Sequence, residues 1–348
     1  MKPDGDDDLL PTVLKIMIAK LSKEHREKLR ERLQEAADSM EHRSGCSGTE
    51  SSYVTLYTLC ELMGVKVMKH TASAEYDDRK RDWCKEVLEI LGDTESLLAK
   101  DMNDMQHNSV FCHRRFRKVN NVLTSRKILL DCGFSCKDLS KLKFHRDANG
   151  DILITGAGTT GYTFLALIRW VARERPLVLI LGNVEELADE TQLNIHELKR
   201  SFVELGFAIE VRVFDCSRFG LPQRRKRAIV LGLHYFTLGV TLQEGAALLA
   251  KMLDTTASLE LVPLPLDQCL LSPDDPFCLA ELERRERTVS DEDKVIDINW
   301  PTTHKIFMEH LGLRWGNFSW PAEVVDSPWV RILPKRETEI VKIEARPA

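Results

Sequence analysis

The stretch that most restricts how this chain can fold is Ile128-Leu129-Leu130-Asp131-Cys132-Gly133-Phe134-Ser135-Cys136. A short apolar run of strand character ends at Gly133, a cysteine follows three residues later and the sequence turns polar. A strand hands a reactive side chain to a loop beyond its carboxyl end in this way. Cys136 is therefore the candidate nucleophile, with a small buried apolar thiol as the ordinary alternative. A second apolar run, Leu177–Leu181, follows Arg175-Pro176 and ends in Gly182-Asn183-Val184. Proline disfavours helix in the residue before it, so the helical pattern of Thr163–Val171 stops there and a buried strand begins. Apolar strands alternating with helices specify an α/β architecture.

The 348 residues suit one large domain with an appendage, or two small ones. A formal net charge of −5 excludes a globally basic nucleic-acid binder but permits a local basic patch. No apolar run approaches a membrane span, and the chain opens on an acidic cluster from Asp4 to Asp8, so neither a spanning helix nor a secretory signal is expected and the setting reads as intracellular. The nine cysteines form no C-x-x-C pair and no zinc-type spacing. They are expected to be free thiols, with no structural metal.

In chain order, Leu14, Ile18, Leu21, Leu29 and Leu33 recur at helical spacing and predict one amphipathic helix of about 25 residues packed against the domain. Arg43-Ser44-Gly45-Cys46-Ser47-Gly48-Thr49-Glu50 then leads into a helix carrying Tyr53, Leu56, Leu59, Leu62 and Met63. A glycine turn opening a helix lets backbone amides approach a ligand and presents the helix's positive end. The strand that should precede it, Ser39–Arg43, is polar and unconvincing, so an ordinary helix start competes with a cofactor turn. Val65–Met68 alternates towards Ala72-Ser73-Ala74-Glu75, which places a carboxylate where ribose hydroxyls sit in doubly wound nucleotide sites. Leu97–Met102 is a third short apolar segment, and it contains Asp101.

His145–Gly161 is polar and glycine-rich and reads as a mobile loop. His196–Leu205 reads as a helix, Ala208–Phe214 as a strand and Ala228–Leu231 as its hairpin partner, with the basic turn Gln223-Arg224-Arg225-Lys226-Arg227 between them. A solvated turn is the ordinary reading of such a run. Leu261–Leu266 is a proline-punctuated connector, and Ala280–Asp293 a charged helix.

Three motifs carry a resemblance. Gly133-Phe134-Ser135-Cys136-Lys137-Asp138-Leu139-Ser140 resembles the nucleophile loop of the cytosine-C5 methyltransferases, Gly-Phe-Pro-Cys-Gln-Asp-Phe-Ser. Gln223, Arg225 and Arg227 match that family's Gln-x-Arg-x-Arg signature. Arg175-Pro176 with Gly182-Asn183-Val184 is similar to its Arg-Pro…Glu-Asn-Val motif, with Gly182 in place of the glutamate. The order of motifs is the family's over residues 43–233, and the glycine turn is similar to that of algal and other protist members.

The resemblance implies a Rossmann-like, S-adenosylmethionine-dependent methyltransferase fold, with a mostly parallel sheet and an antiparallel final hairpin. It implies a catalytic domain over 39–238, preceded by an acidic tail and helix at 1–38 and followed by a small region, 239–348, read as a reduced target-recognition part. S-adenosylmethionine would be held by Gly45, Cys46, Ser47, Gly48, Thr49 and Glu50 around the methionine moiety, by Glu75 with Tyr76 at the ribose, and by Asp101 and Met102 beside the adenine. Gly316-Asn317-Phe318 is a candidate remnant of a final Gly-Asn motif, although Trp320-Pro321 after it is atypical. Nucleic acid is the implied partner, DNA favoured over RNA and nucleus over cytoplasm, with no membrane and no metal.

The family's chemistry explains the residue types. C5 of cytosine is too weak a nucleophile to take a methyl group directly, so the thiolate of Cys136 would add to C6, and the resulting enamine would attack the methyl donor before a proton leaves C5 and the thiolate is expelled. Lys137 and Arg225 are the cations available to favour the thiolate. Asn183 and Gln223 would line the site, Arg225 would hold the cytosine carbonyl and Arg227 would support it. The glutamate missing at Gly182 would act at N3, and Glu185 and Glu186 lie nearby in sequence, where standing in would require a different loop path.

Overall fold

The computed structural model describes residues 9–124, 127–139, 152–221 and 223–264, with isolated positions between 276 and 283. The chain divides into two compact units, Met1–Cys269 and Leu270–Ala348, and the sheet and the candidate site belong to the first. Gly316-Asn317-Phe318, and most of the charged helix expected over Ala280–Asp293, lie outside the described residues.

The N-terminal helical pattern resolves into two helices, α1 (Leu9–Lys20) and α2 (Lys23–Ser39), not one. Ser22 breaks the run by adopting extended backbone and accepting a hydrogen bond from the His25 amide, an N-cap that the unbroken leucine spacing conceals. Then follow β1 (Met40–Gly45), α3 (Ser51–Met63), β2 (Lys69–Ala74), α4 (Asp78–Ile90), β3 (Leu97–Ala99), a short 3₁₀ turn at Met102–Gln106, the hairpin β4 (Ser109–Cys112) and β5 (Arg117–Asn120), and β6 (Lys127–Cys132). The second half runs α5 (Ile152–Thr155), α6 (Gly158–Glu174), β7 (Val178–Val184), a 3₁₀ turn at Glu185–Ala188, α7 (Leu193–Glu204), β8 (Phe207–Asp215), β9 (Lys226–His234), α8 (Tyr235–Leu238) and α9 (Leu242–Ser258). The end of the span expected to be a mobile loop is thus helical from Ile152, with Gly158 opening α6.

Seven strands form one sheet in the order β3-β2-β1-β6-β7-β9-β8, and β4 and β5 form a separate pair. Every neighbour from β3 to β7 is parallel, whereas β9 runs antiparallel between β7 and β8. This is the mostly parallel sheet with an antiparallel final hairpin that the resemblance implies. The chain order reverses between β1 and β6, and ligands bind beyond the carboxyl ends of strands at such a switch point. Alternation along β7 distributes its side chains to both layers. Leu179 and Leu181 enter a core with Phe164, Leu167 and Trp170 of α6 and Leu198 and Phe202 of α7. Val178 and Ile180 pack on the opposite side with Leu249 and Leu253 of α9.

The least strand-like stretch of the sequence is central to the sheet. Glu41, His42, Arg43 and Ser44 of β1 are all buried, between β2 and β6. Each finds a partner, as buried polar groups must. On one face Arg43 donates to Glu41 at 2.8 Å and lies 3.0 Å from Glu174 of α6, within ion-pair range though off the hydrogen-bonding angle. On the other face His42 meets His70 at 2.8 Å and Asp131 at 2.6 Å, and Ser44 donates to Glu50. Burial raises the Glu174 carboxyl above its usual range despite the opposing charges of Arg43 and Arg173.

Replacing the buried cation should therefore leave the Glu41 carboxylate without its cation and Glu174 with Arg173 alone. Arg43→Met is expected to cost about 3–5 kcal/mol of unfolding free energy, and Arg43→Met/Glu174→Met to recover part of that loss. Urea unfolding of the single and double variants checks this; a loss below about 1 kcal/mol would contradict it.

Candidate functional site at the strand ends

Two loops leave neighbouring strands and are tied to each other at once. Cys132, the last residue of β6, pairs with Gly45, the last of β1, and the Gly133 amide donates to the Gly45 carbonyl at 3.1 Å. Cys136 follows in the second loop, partly exposed. Three supports fix that loop. Asn183 of β7 donates through Nδ2 to the Phe134 carbonyl at 3.1 Å and accepts the Val184 amide at 2.8 Å, so the asparagine anchors the loop's backbone. Phe134 is buried against Phe164, with ring centroids 5.5 Å apart. The start of α6 supplies the third: Thr163 Oγ1 accepts the Ser135 amide, Thr160 Oγ1 accepts the Asp138 amide, and Asp138 accepts the Thr160 amide, each at 3.0 Å. Asp138 therefore caps α6 from outside the helix, where its charge also complements the helix's positive end. Asp138 matches the aspartate of the nucleophile-loop motif, whereas Thr160 and Thr163 had no sequence signal beyond their polarity.

Gly182 occupies the fifth position of β7, opposite Ile229 of β9. Its carbonyl lies 3.7 Å from where a Gly133 side chain would begin, so it borders the nucleophile loop. A Cβ added at Gly182, where the family motif has glutamate, meets nothing within 4 Å among the described residues. Glu185 opens the 3₁₀ turn after β7 and lies 3.6 Å from Lys226.

The Gln-x-Arg-x-Arg run spans the β8–β9 connection. Gln223 and Arg225 are exposed, and the Arg225 backbone is held by its amide donating to Asp215 at 3.2 Å and its carbonyl accepting Cys216 at 3.0 Å. Arg227, partly buried in β9, lies opposite Val184, one residue beyond Asn183. The register thus brings the arginine strand to the end of β7 that anchors the Cys136 loop.

Beside it stands the glycine turn. At Gly45 a Cβ would lie 2.9 Å from both Cys132 Sγ and the Trp170 ring and 3.1 Å from Met102 Sδ, so this glycine is required by close packing. Cys46, Gly48 and Glu50 have φ of 50°, 60° and 55°, a left-handed course that folds the turn back on itself. Ser47 donates its amide to Ala74 at 3.3 Å, and Thr49 is exposed with its hydroxyl on Ser51. Glu75, at the end of β2, accepts the Gly48 amide at 2.7 Å and the Asp77 amide at 3.0 Å, closing the turn from the next strand. Tyr76 is exposed beneath the Lys100 ammonium. Asp101 accepts the Asn103 amide at 2.7 Å and the Tyr162 hydroxyl at 3.0 Å, and Met102 is buried against Cys132. Tyr162, on α6 and invisible to motif reasoning, thereby ties the third strand end to the helix that holds the nucleophile loop. Burial, then Asp101, raises its phenol above the usual value.

Glu50 departs from its expected place around a ligand. It is fully buried, and its carboxylate accepts both contacts from Ser44, at 2.9 and 3.1 Å, beneath the turn instead of facing outward. Its side chain makes no cap to α3, so the helix's first amides carry no side-chain acceptor at the N-cap. Among the described residues no cluster of three or more His, Cys, Asp or Glu side chains could hold a metal, and no helix is long and apolar enough to cross a membrane.

A seven-stranded sheet of this order, with a tied glycine turn and a cysteine loop at its switch point, is a Rossmann-like doubly wound α/β domain. Residues 102–247 match the C-5 cytosine-specific DNA methylase family. The Type II methyltransferase M.MthTI of Methanothermobacter thermautotrophicus is 33% identical over 73 residues, 21% of this chain and 22% of its own length. M.Sau3AI of Staphylococcus aureus is 31% identical over 104 residues, 29% of this chain and 24% of its own. Each match therefore spans about a quarter of the relative or less. Among solved structures, a DNA modification methyltransferase encoded within an Escherichia coli prophage aligns at 17% identity and TM-score 0.37, covering 56% of this chain and 47% of that one. The DNMT2 of Spodoptera frugiperda aligns at 14% identity and TM-score 0.36, covering 56% and 50%. Residues 102–247 are thus the part of the chain that is similar to the cytosine-C5 methyltransferase family.

The buried acid under the glycine turn gives a pH signature. Burial, the largest effect, raises the Glu50 carboxyl above its ordinary 4.5, and Asp131 adds to it, while Ser73, His42 and Ser44 oppose. The folded chain then binds this proton more tightly than the unfolded chain does, so the associated stability is complete below about pH 4.5 and is lost as pH rises through the folded value. Glu50→Gln is expected to flatten the decline in melting temperature above pH 5, and an unchanged slope would contradict the assignment.

Proposed function

We propose that this chain transfers a methyl group to C5 of cytosine in DNA through a covalent adduct on Cys136, at a rate limited by Gly182. The observation that supports the reading is the direct tie between the two loops, the Gly133 amide on the Gly45 carbonyl, which joins the segment leading to the candidate thiol to the candidate cofactor turn.

The turn suits S-adenosylmethionine. Gly45 keeps the strand end closely packed, the start of α3 offers backbone amides to the donor's carboxylate, Glu75 and Tyr76 stand at the end of β2 for the ribose, and Asp101 and Met102 border the adenine position. When bound, this donor supplies an electrophilic methyl group. The chain's own residues do the rest. The Cys136 thiolate adds to C6, since only the thiolate is nucleophilic, and C5 gains the electron density it needs to attack. Arg225 hydrogen-bonds the cytosine carbonyl as negative charge builds there, and Arg227 supports it from β9. Asn183 and the Thr160–Asp138 pair hold the cysteine loop through its backbone. A base must leave the duplex to reach this cleft, at a cost of a few kcal/mol.

Gly182 withholds the acid that would neutralise N3. A positioned general acid contributes on the order of 10²–10⁴-fold. That deficit favours a second reading, a slow or silent relative that binds donor and nucleic acid in a regulatory role. Transfer of tritiated methyl to DNA and to tRNA, run with wild-type chain, Cys136→Ser and Gly182→Glu, separates them. The enzyme reading expects label in DNA, none with Cys136→Ser, and a gain of at least about a hundredfold with Gly182→Glu, since a Cβ there meets no described residue. Donor binding without transfer in either wild type or Gly182→Glu would contradict it, and label confined to tRNA would reassign the substrate.

A further inference from the structure

With a formal net charge of −5, the molecule as a whole offers nucleic acid no long-range attraction, so phosphates must be held by local basic surfaces. One is the 223–227 turn. The β4–β5 hairpin is another, and no step of the reaction uses it.

Pairing sets Phe111 opposite Lys118 and Cys112 opposite Arg117. Val110 and Cys112 enter the core, whereas Phe111, Lys118 and Asn120 lie exposed on the ribbon. Phe111 is 41% exposed, with His113 packed edge-on against it, and Phe116 is 75% exposed at the tip. The Phe116 backbone has φ of 48°, a left-handed conformation where glycine or asparagine is the usual occupant. A strained position holding a large ring in solvent invites a functional explanation. Arg115, Arg117 and Lys118 flank Phe116 in sequence, all exposed, and neither Arg117 nor Lys118 forms an ion pair with another described residue.

The ribbon is also held rigidly. Asn121 donates to the carbonyls of Met105 and His107, Arg173 of α6 donates to Asn121 and Asn108, and the His113 amide donates to Leu98 of β3. Arg114 and Arg115 donate to the carbonyls of Asp93 and Glu95, so the tip lies beside the segment entering β3, away from the carboxyl ends that carry Cys136.

We propose that this hairpin is a second nucleic-acid contact surface, in which Arg115, Arg117 and Lys118 hold phosphates of a single-stranded segment and Phe116 stacks on one of its bases. An open base presents a face for stacking that an intact duplex keeps covered, and cations alternating with exposed rings suit such a strand. The proposal rests on the reading of the chain as a nucleic-acid methyltransferase.

Fluorescence anisotropy with labelled oligonucleotides of about 24 nucleotides, single-stranded and duplex, tests it. Arg117→Glu/Lys118→Glu is expected to weaken single-strand binding at least about tenfold and to reduce the salt slope by about 1.4, two phosphates' worth. Phe116→Ala should weaken single-strand binding about fivefold or more and duplex binding hardly at all, with Phe116→Trp restoring it. Melting temperatures report whether each variant folds. Wild-type affinity and slope in the folded charge variant, with binding lost in Arg225→Ala, would overturn the hairpin assignment and leave the active-site reading standing. A wild-type chain that binds no oligonucleotide at all would overturn both.

Discussion

Everything proposed for this chain depends on one backbone hydrogen bond, from the Gly133 amide to the Gly45 carbonyl. Parallel strands place their carboxyl ends side by side, and continuing the ladder one residue past the strands makes the glycine turn and the cysteine loop two halves of one structure. The packing agrees with that constraint: Gly45 has no room for a side chain because Cys132, Trp170 and Met102 already fill the space. From that junction the neighbouring ends are drawn in, β2 through Glu75, β3 through Asp101 and Tyr162, and β7 through Asn183.

The strand beneath this junction is stabilised by polar contacts. β1 fills the middle of a parallel sheet with Glu41, His42, Arg43 and Ser44, where apolar side chains are the rule. A network of ions and hydrogen bonds replaces them, with Arg43 reaching Glu174 on one face and His42 and Ser44 reaching residues of β2, β6 and the glycine turn on the other. Burial strongly favours the neutral form of His70, which fits a histidine passing hydrogen bonds between His42 and Ser73. Such a network makes register specific: a one-residue slip would turn Arg43 away from Glu174 and onto the wrong face.

The same network explains why the sequence was legible in some places and opaque in others. Ile128–Cys132 and Leu177–Leu181 announce themselves because apolar runs ending in glycine read locally as buried strands. β1 does not, because its polar residues are satisfied by partners as distant as Glu174, and no local pattern shows that. The break at Ser22 was hidden by leucines that keep their spacing across it, and the inward turn of Glu50 depends on a left-handed backbone that composition does not reveal. Cys136, Asn183 and the arginines stood out through motif spacing. Tyr162, Thr160 and Thr163, which hold the loops in place, belong to no motif, and only the folded chain brings them to the loops.

The central claim is that the thiol of Cys136, the glycine turn and the arginine strand face one reacting base. Capture with an oligonucleotide containing 5-fluorocytosine tests it most directly, since fluorine at C5 blocks the last proton loss and leaves the adduct in place. In the presence of S-adenosylmethionine, peptide mass mapping should find the oligonucleotide attached at Cys136 and carrying the transferred methyl group. Attachment at any other cysteine, or capture that persists in Cys136→Ser, would contradict the account.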